Sequence, residues 1–118
     1  MNKVAIVVLA DTESHGDLGR VVNALEAVKE FKDAGDAVTL VFDGAGVKWV
    51  RELASASHKA APLFAAVKDR VAGACEFCAG AFGVKQATLA AGVKLLGDHD
   101  GHPSFRSLVS DGYHVITF

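Results

Sequence analysis

The sequence predicts an α/β fold, a three-layer α/β/α sandwich around a five-stranded, mainly parallel sheet. Three observations predict it. Strand-like runs alternate with helix-period patterns from end to end, the order that produces parallel sheets flanked by helices. The strand runs are continuously apolar rather than alternating, as in KVAIVVLA from Lys3 to Ala10, which marks strands buried on both faces. The chain has 118 residues, 51% of them hydrophobic, with no linker or repeat. One domain over residues 1–118 is expected, since domains cluster at about 100–150 residues.

The elements follow in order. Lys3 to Ala10 is the first strand. Asp17 is a candidate cap for a helix whose apolar face is Leu18, Val21, Val22, Leu25 and Val28, with Gly35 as its stop. Ala37 to Phe42 (AVTLVF) is the second strand, and Asp43-Gly44-Ala45-Gly46 turns into a short helix carrying Trp49, Val50 and Leu53. Pro62 opens a helix with Leu63, Phe64 and Val67 inward. Ala72 to Phe77 is the third strand, and Val84, Ala87, Thr88 and Ala91 form a further helical stripe. Val93 to Leu96 is a short fourth strand. Ser104 caps a last helix with Leu108 and Val109 inward, and Tyr113 to Phe118 (YHVITF) is the fifth strand.

Composition excludes several classes. A charged fraction of 22% beside this much apolar residue is incompatible with disorder. A net charge of -2 argues against nucleic acid as a partner. The apolar runs fall short of the roughly 20 residues that span a bilayer. The first run ends in Asp11-Thr12-Glu13 without a cleavage signal, so a cytoplasmic location is expected. Two cysteines three positions apart are no secreted disulfide framework.

Right-handed crossovers place every strand-to-helix loop at the carboxyl edge of the sheet, where such folds gather their chemistry. Those loops are Asp11 to Asp17, Asp43 to Val47, Cys78 to Gly83 and Gly97 to Pro103. The third contains the candidate site. Cys75-Glu76-Phe77-Cys78 closes a strand, and Ala79-Gly80-Ala81-Phe82-Gly83 opens the next helix. A thiol at a helix start is expected to favour the thiolate, and Gly80 and Gly83 let a ligand approach it. Buried cysteine as a small core residue is the plain alternative.

Three chemistries fit the CxxC. One is dithiol–disulfide exchange. Another is a metal site such as zinc, with Cys75, Cys78, His99 and His102 as its set or His15 assisting. The third is a persulfide, formed and passed on by thiolate attack. Glu76, if buried near the thiols, would move protons; otherwise it is a rim carboxylate. His15 is a candidate base in the first loop, Asp43 caps its turn or faces the pocket, and Phe82 walls the pocket or packs. His58 is expected at the surface, and His114 in the core or at an interface. No GxGxxG follows the first strand, and that acidic loop is unsuited to cradling phosphate.

The whole chain resembles the DsrE/DsrF-like family of small sulfur-relay proteins. The resemblance is carried by Gly19-Arg20, by VTLVFDGAGVKWV from Val38 to Val50, by CEFCAGAFGV from Cys75 to Val84, and by GHPSFRSLVSDGYHVITF from Gly101 to Phe118. It implies a doubly wound, flavodoxin/Rossmann-like subunit that assembles into homotrimers or homohexamers. It implies a sulfurtransferase-like sulfur carrier without a resident cofactor, and sulfur donor and acceptor proteins or small thiols as partners. The family cysteine that bears the persulfide stands eight residues before a loop-ending glycine, which matches Cys75 before Gly83. Cys78 is then a resolving thiol or a metal ligand.

Overall fold

A computed structural model describes residues 1–118. Five strands form one sheet: β1 (Lys3–Val8), β2 (Ala37–Phe42), β3 (Val71–Cys75), β4 (Leu95–Leu96) and β5 (His114–Thr117). Their order is β4-β3-β2-β1-β5, and every neighbouring pair is parallel. Six helices connect them: α1 (His15–Asp33), α2 (Lys48–Ala54), α3 (Ala61–Val67), α4 (Glu76–Ala81), α5 (Lys85–Ala90) and α6 (Phe105–Ser110).

The strand order dictates the layers. From β1 to β4 the chain steps in one direction along the sheet, so right-handed crossovers place α1 to α5 on one face. The return from β4 to β5 reverses direction and carries α6 to the opposite face. Packing agrees. Val4, Ile6, Val8, Leu40 and Phe42 join Val21, Leu25, Val28, Trp49, Leu53, Phe64 and Val67 in a single core. On the other face, Thr39, Val41, Ala72 and Leu96 border a groove shared with Ser107 and Leu108 of α6. That second layer is thin. Leu108 is half-buried but Val109 is 63% exposed, which corrects its expected inward orientation: a six-residue helix presents only one narrow face to the sheet.

Several boundaries differ from expectation. Ser14, not Asp17, caps α1, and its hydroxyl accepts from the Asp17 amide at 3.1 Å. Strand β3 stops at Cys75, so Glu76, Phe77 and Cys78 are helical and do not alternate across a sheet. His114 is exposed on an edge strand and is no core residue. His58 is half-buried, edge-on to the Trp49 ring. Gly46 is demanded by a close approach: a Cβ there would lie 2.1 Å from the Val8 carbonyl oxygen. Only glycine lets the turn after β2 cross the end of β1.

Chain reversal also positions the site. The loop leaving β3 runs to one face of the sheet and the loop leaving β4 to the other. Between the carboxyl ends of these neighbours the connections diverge, which opens the crevice in which parallel α/β folds bind and react.

Candidate functional site

Three strand ends and one turn converge in that crevice. Asp43 follows β2, and its carboxylate accepts from the Gly44 amide at 2.8 Å as the cap of a short 3-10 turn. Cys75 ends β3 and caps α4, its Sγ accepting from the Cys78 amide at 3.3 Å. Cys78 lies one turn into α4, and its thiol donates to Asp43 Oδ1 at 3.7 Å.

His102 comes from the loop after β4. His99 and His102 exchange two backbone hydrogen bonds, of 2.8 and 2.7 Å, around Asp100 and Gly101 at φ 50° and 82°. Two positive φ values in a two-residue turn are the type I′ geometry that Asp-Gly favours. The Phe77 amide holds the Gly101 carbonyl at 2.9 Å, and the Phe77 ring lies against the His102 ring with centroids 4.9 Å apart. The imidazole Nδ1 is thereby set 3.2 Å from Cys75 Sγ. One ligand-type atom from each of Asp43, Cys75, Cys78 and His102 lies within 4.8 Å of the other three.

The two thiols differ. Cys75 is fully buried and Cys78 half-buried. Burial pushes the Cys75 thiol up to about 12, against the lowering donation from the Cys78 amide, and the Cys78 thiol and the Asp43 carboxylate raise it further. This corrects the expectation of a thiolate at a helix start. Loss of hydration outweighs one amide donor, and α4 is only six residues long. Cys75 is a neutral thiol at pH 7.

Other expected residues lie elsewhere. Glu76 is exposed and flanks Gly97, so it is the rim carboxylate and has no part in the thiol cluster. His15 is exposed in a separate cleft with Trp49, Glu52 and His58. Gly80 sits on the open surface of α4, and Gly83 ends the loop at φ 69°. Phe82 is 43% exposed beneath the Lys48 ammonium, 5.6 Å from its ring centre, rather than walling the thiols. His99 is exposed and outside the four-residue cluster; Asp43 takes the place the sequence suggested for it. His99 and His102 face one another across the Asp-Gly turn, and nothing in the sequence signalled which of the two would lie against Cys75.

A cleft of about 510 Å³ opens beside Asp43 and His102, lined also by His99, Pro103, Ser104, Phe105 and Arg106. Fold and site together define a parallel α/β domain with a dithiol at its topological switch point. The chain belongs to the DsrE/DsrF-like family, whose model matches residues 2–118. It is 33% identical over 96 residues to the uncharacterized protein MJ0733 of Methanocaldococcus jannaschii, covering 81% of this chain and 78% of that one. Its fold is also that of BT1422, a conserved protein of unknown function from Bacteroides thetaiotaomicron, with TM-score 0.65 at 14% identity over 97% and 94% of the two chains. Membership associates this chain with a sulfur-relay role. No helix is long and apolar enough to cross a membrane.

Proposed function

We propose that this protein carries sulfur as a cysteine persulfide and passes it to a partner thiol, with Cys78 as the loaded sulfur and Cys75 as the thiol behind it. The observation that supports this reading is the graded burial of two adjacent thiols, each beside a side chain able to take its proton. Cys78 is half-buried and points at Asp43 Oδ1, 3.7 Å away. Cys75 is fully buried and faces His102 Nδ1 at 3.2 Å. This order exchanges the roles that the family spacing suggests, because a donor cannot reach a sulfur that is closed to solvent.

The steps follow from thiol chemistry. Asp43 accepts the Cys78 proton, and the thiolate attacks the terminal sulfur of a donor persulfide. A sulfur–sulfur bond forms on Cys78, the donor's sulfur–sulfur bond breaks, and the donor leaves as a thiolate. An acceptor thiolate then takes the terminal sulfur and regenerates Cys78. If no acceptor arrives, Cys75 yields its proton to His102 and attacks the Cys78 sulfur. That expels hydrosulfide and leaves a Cys75–Cys78 disulfide, which an external thiol reduces. The donor and acceptor are proteins or small thiols. Assembly as a homotrimer or homohexamer belongs to the same proposal and rests on the family resemblance, with exposed Phe105 (43%) and Val109 (63%) as apolar surface for a second copy to cover.

The test is native mass spectrometry after exposure to a small-molecule persulfide. Wild type gains one sulfur transiently and, with no acceptor present, releases it as hydrosulfide to leave a reducible Cys75–Cys78 disulfide, and Cys78→Ser gains none. Cys75→Ser still loads but releases no hydrosulfide. Loading that survives Cys78→Ser and is lost in Cys75→Ser would return the carrier role to Cys75.

A further inference from the structure

We infer that Asp43, Cys75, Cys78 and His102 form a four-ligand site for a thiophilic divalent cation of the zinc class, and that its occupancy shuts off the thiols. The inference goes beyond the sulfur-relay reading and does not depend on it.

Geometry carries it. Zinc bonds of about 2.0–2.3 Å in a tetrahedron place neighbouring ligand atoms roughly 3.3–3.8 Å apart. Here Cys78 Sγ and Asp43 Oδ1 are 3.7 Å apart, and Cys75 Sγ and His102 Nδ1 are 3.2 Å apart. The four ligand atoms lie within 4.8 Å of one another. Closing the longer edges to tetrahedral values requires movements of at most about 1.5 Å. The ligands are also held on separate, rigid supports: the ends of β2 and β3, the first turn of α4, and the Asp-Gly hairpin after β4. Phe77 braces the His102 ring from one side.

Charge supports the same conclusion. The Asp43 side chain belongs to a residue only 7% exposed, and its partners are the Gly44 amide and the Cys78 thiol, with no lysine or arginine paired to it. Buried carboxylates are ordinarily paired with a cation or coordinate a metal. Two thiolates, a carboxylate and a neutral imidazole match the borderline-soft preference of zinc, whereas magnesium and calcium take oxygen ligands. Binding displaces both thiol protons to solvent and leaves the sulfurs as metal thiolates. With all four positions filled by protein, such a site is closed rather than catalytic. It therefore competes with sulfur loading and with oxidation to the disulfide.

Cobalt(II) is the probe, added to chelator-stripped, reduced full-length protein and then displaced with zinc(II). The expected result is one cobalt per chain, a tetrahedral spectrum with sulfur-to-cobalt charge-transfer bands, two protons released per metal, and loss of the bands on adding zinc. Cys78→Ser and His102→Ala should each lose the tetrahedral sulfur spectrum while keeping a wild-type far-ultraviolet circular dichroism spectrum. His99→Ala should keep it. Binding that persists in His102→Ala but is lost in His99→Ala, a stoichiometry of one metal per two chains, or an octahedral spectrum would overturn the site. Zinc-loaded protein should also take up no sulfur from a persulfide. Sulfur uptake by metal-free protein that shows no cobalt spectrum defeats this inference alone; a cobalt spectrum without sulfur uptake defeats only the relay reading.

Discussion

The buried thiol makes a quantitative prediction about reactivity. In metal-free native protein, Cys75 should alkylate far more slowly than the same residue in the urea-unfolded chain. Its ordinary value of 9.0 is pushed up to about 12. At pH 8 the thiolate fraction therefore falls from about 10⁻¹ to about 10⁻⁴, a factor of about 10³. A more basic thiolate is intrinsically more nucleophilic, and a Brønsted slope of about 0.4–0.5 over that interval returns a factor of roughly 16–32. The net retardation from ionisation is about 30–60-fold. Full burial adds to it, because the sulfur must first be uncovered by local opening. The assay is iodoacetamide labelling with quench and peptide mapping, following Cys75 and Cys78 separately. Cys78, only half-buried, should label first. A native Cys75 rate within a few-fold of the unfolded rate would refute the reasoning, since neither its burial nor its raised value would then hold.

The same shift has a stability consequence. Both states are protonated below pH 9, and the contribution is then fully present. As pH rises from 9 towards 12 the unfolded chain ionises while native Cys75 does not. Cys75 should lower stability by about 1.4 kcal/mol per pH unit in this window, and the alkaline slope of Cys75→Ala should be shallower by that amount, since Lys29 and Lys48, also raised by their ion pairs, keep a slope of the same sign in both proteins; urea midpoints of the two proteins across alkaline pH give the comparison. Gly46→Ala forces a Cβ to within 2.1 Å of the Val8 carbonyl oxygen, and backbone cannot yield cheaply, so a loss of about 3 kcal/mol or more is expected in denaturant melts. Trp49→Phe removes an indole N–H that donates at 3.0 Å to both Ala10 and Asp11 carbonyls. It should cost about 1–3 kcal/mol and speed amide exchange in the first strand-to-helix loop. Ser14→Ala deletes the cap of α1 and should cost about 1 kcal/mol by thermal melting.

Much of the fold was legible because it rests on local chemistry. The apolar runs at Lys3 to Ala10 and Ala37 to Phe42 point to strands covered on both faces, as Val4 to Val8 and Val38 to Phe42 largely are, but the first strand stops at Val8 and Leu9 is exposed. Helical stripes such as Val21, Leu25 and Val28, or Trp49, Val50 and Leu53, follow directly from a 3.6-residue period and are buried as that period requires. Short elements were less legible. Ala72 to Phe77 read as strand, but the strand ends at Cys75 because β3 runs out of neighbours there: β4 pairs with it only at Ala74 and Cys75. Val109 looked inward by spacing, but a thin layer offers no second surface to bury it.

The sequence by itself determined the α/β alternation and the placing of the two thiols at the carboxyl edge of the sheet. Tertiary structure alone decided which thiol is shielded, which histidine serves it and that Asp43 completes the group. The reason is distance along the chain. Asp43, Cys75 and His102 are brought together by the crossover order β4-β3-β2 and by a type I′ turn. Desolvation, which sets the character of Cys75, is a property of everything packed around the sulfur and of no single neighbour in sequence.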